Sequence, residues 1–375
     1  MKFSVDRDVL ADAVAWTGRA VPSRPPTPVL AGVRIEADRS GVVRLASFDY
    51  EVSAKAEFAA QVESEGVALV SGRLLREIAN ALPHKPVGFS LEGTKVSVTC
   101  GASRFTLATM PVDQYPNLPE LPEQSGTVNG KDFETAVVQV ASAASRDETL
   151  PILTGVRVEI EGSNISLLAT DRYRLALREL KWKPSVSNIS AIALVRAKTL
   201  VETAKALGSG DVTVALSSGN DIDLVGFAAG GLQTTSLLMD GDYPQVRRLF
   251  PDASPITATV KTQELMDATR RVSLVAERNS SVRLSFLAGE VTLDAGQTED
   301  AQASEAIESV LDGDEITVAF NPQYLLDGLA AISTEYVRFG FTQETKPVEF
   351  MGISKPGGEL APEFRYLLVP IRISS

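Results

Sequence analysis

"TPVLAGVRIEA" at residues 27–37 and "LPILTGVRVEI" at residues 150–160 are nearly the same phrase, and a worn echo, "NSSVRLSF", stands at 279–286. Each reads as a strand, with apolar and polar residues in alternation. The triplet Val33-Arg34-Ile35 returns as Val156-Arg157-Val158 and again as Val282-Arg283-Leu284, at offsets of 123 and 126 residues. A true internal duplication keeps further features in step over the whole period. The helical phrases "GRLLREIANAL", "RAKTLVETAKAL" and "NPQYLLDGLAAI" end at Leu82, Leu207 and Ile332, 125 residues apart both times. A tyrosine-proline turn also recurs, as "DQYPNLP" from Asp113 and "GDYPQVRRLFP" from Gly241. The 375 residues therefore divide into three copies of about 125.

Each copy is itself made of two similar halves. In the first, a strand at Lys2–Val5 leads to an apolar-periodic helix from Asp6 to about Ala20, then to strands near 33–37, 42–48 and 51–58. The cycle restarts with a strand at 67–70, a helix at 73–82 and strands near 87–91, 95–100 and 104–109, with turns such as Glu92-Gly93 between them. The unit is β-α-β-β-β, twice per domain, so the fold class is α+β. Proline-rich stretches of low periodicity, "MPVDQYPNLPELPEQ" and "LFPDASP", mark the linkers. The expected domains are 1–124, 125–252 and 253–375.

Composition narrows the chemistry. A single cysteine, Cys100, rules out an internal disulfide framework, and a single histidine, His84, leaves too few ligands for a zinc site and one candidate base for a nucleophilic triad. No metal or other cofactor is expected. Asp6, Arg7 and Asp8 fall where a signal peptide needs an apolar core, and no apolar run spans a bilayer, so the expected compartment is the cytoplasm, with no membrane partner. The net charge of −12 argues against coating nucleic acid by bulk attraction and leaves room for a local basic surface.

The repeat also constrains assembly. Each domain pairs helices with small antiparallel sheets, and a bare sheet edge is a template for association. Three domains side by side join such edges into continuous sheets but leave two raw ends. Pairing the first domain of one chain with the third of another closes a two-chain ring. An open three-domain arc satisfies the same argument.

The whole chain resembles the bacterial DNA polymerase III β subunits, the sliding clamps. The match rests on "MKFSV" at Met1, "SRPPTPVL" at Ser23, "SRFTLATMP" at Ser103, "ATDRYRLA" at Ala169, "DGDYPQVRRLFP" at Asp240 and "YLLVPIRI" at Tyr366, in that order and spacing. The resemblance implies a head-to-tail homodimeric ring that encircles duplex DNA without sequence preference and tethers polymerases, with no catalysis of its own. It implies a pocket for a short glutamine- and leucine-containing motif shared by the polymerase III α subunit, the clamp loader, translesion polymerases and repair proteins. Carried over, the pocket wall is Leu153, Thr170, Arg172, Tyr173, Arg174, Leu175, Pro244, Arg248, Leu249, Pro347, Leu367, Leu368, Val369, Pro370, Ile371 and Arg372. Many relatives place a small residue where Arg172 stands. The dimer edge maps to Phe105 and Leu107 in the first domain against Ser273 and Leu274 in the third, and Arg24 and Arg146 match DNA-contacting positions.

The residues accord with this. The second helices of the first two copies carry Arg73, Arg76, Arg196, Lys198 and Lys205 against Glu77 and Glu202, a surplus of three positive charges. A third helix from about Thr262 adds Arg270, Arg271 and Arg278 against Glu264, Asp267 and Glu277. A mild lining of this kind holds phosphates loosely enough to slide. The apolar "YLLVPIRI" close to the last residue is a poor free tail and must be docked. Two rival readings are an enzyme using Asp49 and Asp171 as an acid-base pair, and a repeat scaffold without nucleic acid. Residues recurring in register across copies are more simply turn-holders.

Overall fold

The computed structural model describes all residues except 209, 218–223, 277–280, 299–300 and 373–375. Glu277, Arg278 and the first two residues of "NSSVRLSF" thus lie outside the described residues, as do Ile373, Ser374 and Ser375. Six α-helices are present among the described residues: α1 (Arg7–Thr17), α2 (Gly72–Ala81), α3 (Gly130–Ala141), α4 (Ala197–Ala206), α5 (Thr262–Val272) and α6 (Pro322–Ala331). Each follows one strand and precedes three, with a short fourth strand, Gln61–Ser64 after α1 and Lys183–Pro184 after α3, so the β-α-β-β-β unit occurs six times, twice with an addition. The first helix is shorter than expected, because a 3-10 turn over Gly18–Ala20 takes its last residues.

Local chemistry sets the helix starts. The Asp6 carboxylate accepts from the Asp8 backbone N–H at 2.8 Å and caps α1, while Leu10, Ala13, Val14, Trp16 and Thr17 are buried. Ser71 caps α2 through the Leu74 N–H at 3.4 Å. Asn321 caps α6, and Pro322 sits in its first turn, where no N–H is needed. The hairpin after Val87–Glu92 turns at Gly93, whose φ of 58° is open to glycine at little cost.

The chain separates into two compact units, each built on one antiparallel sheet. The first unit comprises 1–131, 183–186 and 202–238 and holds a 14-stranded sheet. The second comprises 132–182, 187–201 and 239–375 and holds a 12-stranded sheet. The central 125-residue copy is therefore shared out. Its strand Leu232–Leu237 pairs with Val52–Ala59, with Thr234 opposite Ala54. Its strand Arg174–Lys181 pairs with Leu360–Leu368, with Leu175 opposite Leu367. Sheet edges of successive copies are thus joined, as the edge argument requires.

The two aspartates of the rival enzyme reading occupy equivalent hairpins. Asp49 Oδ1 accepts from the N–H groups of Glu51 (2.9 Å) and Val52 (2.6 Å), and Asp171 Oδ1 from those of Tyr173 and Arg174, both at 3.0 Å. The residue after each, Tyr50 (φ 75°) and Arg172 (φ 81°), is left-handed. The recurring aspartate holds a strained turn; the hydrogen bonds offset the strain in both hairpins.

Candidate functional site

The carried-over pocket residues fall within the second unit. Leu153, Leu175 and Leu367 are buried in one cluster with Leu168, Leu177, Leu194, Tyr243, Val246 and Phe250. Alternation explains part of this: Leu168 lies opposite Leu177, and Leu177 follows Leu175 by two residues on one face. Above this floor opens a cavity of about 450 Å³, lined by Pro244, Gln245, Val246, Arg248 and Leu168, with Arg157, Glu159 and Arg247 at its rim. Leu249 and Tyr173 are each 54% exposed, apolar surface left uncovered. The tail is docked: the Val369 N–H donates to the Tyr173 carbonyl at 2.8 Å and the Ile371 N–H to the Ala319 carbonyl at 2.7 Å. Val369, Ile371 and Arg372 stay exposed, and Pro347 is half-buried.

Other expected wall residues are buried as well and act from beneath. Leu368 is fully buried. Arg174 is buried too, donating from Nε to Asp171 at 2.9 Å and from a terminal nitrogen to Asp327 at 2.6 Å, with its guanidinium 4.3 Å from the centre of the Tyr324 ring. Burial opposes its charge, but Tyr366, Asp327 and Asp171 outweigh this and hold its pKa above the ordinary arginine value. Tyr324 in turn stacks on Tyr173, ring centres 6.2 Å apart. Arg174 therefore braces the exposed Tyr173. Thr170 closes the same turn, donating to the Arg174 carbonyl at 2.6 Å and accepting from the Arg172 N–H at 3.1 Å. Sequence reasoning missed Leu168, Leu177, Tyr243 and Val246, although strand alternation and the repeated tyrosine-proline phrase signal all but Val246. Tyr324, on a helix about 150 residues further on, left no signal.

The candidate DNA contacts are exposed. Arg24 lies in the segment between Gly18–Ala20 and Pro28–Ala31, and Arg73 and Arg76 lie one turn apart on α2, Arg73 paired with Glu77 at 2.9 Å. Lys205 ends α4 in the first unit; Arg146, Arg196 and Lys198 are exposed in the second. The charges expected on α5 are spent locally: Arg270 pairs with Asp267 at 2.8 Å, and Arg271 Nε donates to Glu305 at 2.9 Å. That helix adds little free positive charge, a correction to the reading from charge counts alone.

The candidate dimer residues sit at bare edges. In the strand Ser103–Met110, residues 103–108 pair only with Lys95–Cys100, while Thr109 and Met110 reach Gly66–Ser71. Phe105 is 36% exposed on this edge and Leu107 is buried behind it. In the strand Ala301–Asp312, residues 301–308 pair on one side only. Ser273 and Leu274 lie in the turn after α5, and Leu274 is 84% exposed. Leu274 and the half-exposed Val310 of the strand Ala301–Asp312 leave apolar side chains uncovered on this side of the unit.

Comparison with known proteins gives the family. The N-terminal, central and C-terminal domain models of the DNA polymerase III beta subunit match residues 1–119, 127–245 and 247–359. The chain is 52% identical over 376 residues to the beta sliding clamp of Streptomyces coelicolor, covering 100% of both. It is 56% identical over 313 residues to that of Micrococcus luteus, covering 83% of this chain and 100% of the relative. Among solved structures, the DNA polymerase sliding clamp from Bacillus subtilis aligns over 100% of both chains with a TM-score of 0.90 at 29% identity. Among the described residues no helix is long and apolar enough to cross a membrane. The chain belongs to the DNA polymerase III beta subunit family, the sliding clamps: it is a three-domain DNA clamp that confers processivity on a polymerase and is not itself an enzyme.

Proposed function

We propose that two copies close head to tail into a ring around duplex DNA in the cytoplasm. The observation that carries this is the pair of bare strand edges, residues 103–108 and 301–308, each flanked by exposed apolar side chains. Joined edge to edge across two chains, they satisfy the unpaired backbone groups at both ends of a protomer. Phe105, Leu107, Ser273 and Leu274 form the joint, and the domains run 1–124, 125–252 and 253–375. Arg24, Arg73, Arg76, Arg146, Arg196, Lys198 and Lys205 touch phosphate from within.

The cavity over Leu168 and Val246 takes the glutamine- and leucine-containing motif of the polymerase III α subunit, the clamp loader, translesion polymerases and repair proteins. Its apolar floor and exposed Leu249 supply area for the hydrophobic anchors, and the exposed Pro244 stiffens the rim, while Pro370 is buried and stiffens the docked tail. Arg172, exposed at a left-handed φ, adds charge to one end of this site.

Topology supplies the test. Labelled protein, loaded with ATP and a clamp loader onto a nicked circle, is followed by gel filtration before and after one restriction cut. A ring stays on the circle in salt that strips a short linear duplex, and leaves once the circle is cut. Protein that remains on the cut DNA with free ends refutes encirclement.

A further inference from the structure

A second cavity, of about 530 Å³, opens on the same unit, beneath the segment 251–254 and against the strands Tyr336–Phe341, Val348–Ile353 and Leu360–Leu368. Its roof is held close. A Cβ on Gly340 would meet Ser254 Oγ at 2.5 Å, so the glycine lets the segment lie against the sheet. Arg365 pins it from below, donating to the Pro251 carbonyl at 3.2 Å with its guanidinium 4.5 Å from the centre of the Phe250 ring. Leu177, Met351 and Leu360 give it apolar surface.

Two features say what would enter. Arg247 lines both this cavity and the 450 Å³ one, so the two share a wall. It is fixed across that boundary by Glu159 at 3.2 Å and Glu179 at 3.1 Å. The lining carries three arginines, Arg247, Arg338 and Arg365, and three acidic residues, Glu179, Asp252 and Glu349, and the other feature is how they are paired. Arg365 is matched to the buried Glu349 at 2.5 Å, Arg247 is matched as above, and Asp252 is exposed to water. Among the lining arginines, Arg338 alone has a half-buried side chain that makes no hydrogen bond or ion pair with any described residue. A partly desolvated guanidinium without an acceptor is a site for a carboxylate, which it can grip with two parallel hydrogen bonds.

We propose that this cavity is the second compartment of the partner-binding groove, and that it takes an acidic side chain flanking the glutamine- and leucine-containing motif of the same peptide, with Arg338 as the recognition residue. The proposal rests on the first cavity being the motif site. Because Arg247 lines both cavities, residues flanking a motif held in the first lie next to the second.

Fluorescently labelled synthetic peptides on the full-length protein test it: the motif with neutral flanks, with two glutamates before it, with two glutamates after it, and with lysines in the same places. One acidic flank should tighten binding about two- to fivefold at low salt, the range of a half-exposed ion pair, and the gain should fade as salt rises. Arg338→Gln should remove the gain and leave the neutral-flank peptide unchanged, which also shows that the variant is folded. Arg338→Glu should reverse the preference towards lysine. Binding of the neutral-flank peptide with no gain from either acidic flank, or a gain that survives in Arg338→Gln, overturns the second compartment alone. Failure of the neutral-flank peptide to bind overturns the first cavity's reading and this one with it.

Discussion

The backbone N–H of Val369 donates to the carbonyl of Tyr173 at 2.8 Å, one step beyond the last paired residues, Leu368 and Arg174. The tail thus continues the sheet register and is held as its border. Removal of Val369 to Ser375 is expected to abolish binding of a glutamine- and leucine-containing peptide, measured by fluorescence anisotropy, while the dimer mass by light scattering is unchanged. Unchanged peptide affinity would mean the pocket lies elsewhere.

Leu274 at 84% exposure has no cover within its own chain. Leu274→Asp is expected to dissociate the dimer, since a charge buried in the joint without a partner costs several kcal/mol. Light scattering at micromolar concentration should give one 40.0 kDa chain for the variant and two for the parent. A parent of one chain would count against ring closure.

Arg174 neutralises Asp171 and Asp327 in a site where its own side chain is 4% exposed. Arg174→Met leaves both carboxylates uncompensated and should cost about 3–5 kcal/mol, read as a lower denaturant midpoint. Adding Asp327→Asn should recover part of that loss. No recovery would assign the cost to packing in place of charge.

Burial pushes the Tyr115 phenol up to about 12. Its folded form thus holds the proton more tightly than the unfolded chain, whose tyrosines titrate near 10. This contribution is complete below about pH 10 and is lost as pH rises towards 12. Burial raises Tyr243 and Tyr366 as well, so the decline extends further. Denaturant midpoints from pH 9 to 12 should fall, and Tyr115→Phe should make the fall shallower; a midpoint flat to pH 12 would contradict this.

Arg24 is exposed and makes no ion pair with a described residue. Arg24→Ala is expected to weaken binding to a short linear duplex and to lower the slope of log affinity against log salt by about one, while retention on a closed circle hardly changes. Equal loss in both assays would show that contact, and not topology, holds the protein on DNA.

The repeat, its six-fold β-α-β-β-β plan and most element bounds were legible in the residues themselves. They rest on local physics: capping side chains such as Asp6 and Asn321, apolar stripes along one helix face, and alternation along strands. The turn role of Asp49 and Asp171 was legible for the same reason, because an aspartate serves its own next few N–H groups. Motif spacing also marked the strand, the tyrosine-proline phrase and the tail that make up the proposed pocket.

The tertiary structure alone decided what depends on distant partners. The central copy is shared between two sheets because Leu232–Leu237 finds Val52–Ala59 and Arg174–Lys181 finds Leu360–Leu368, pairings of about 180 residues' separation that local periodicity does not encode. Charge counting saw free arginines on α5, but Glu305, brought in from another strand, neutralises Arg271. Arg174 reads from sequence as a surface contact and is instead buried, since Asp327 and Tyr324 come to it from α6. Hydrogen bonds and ion pairs act over a few ångströms of space, whatever their separation along the chain, and only folding sets those distances.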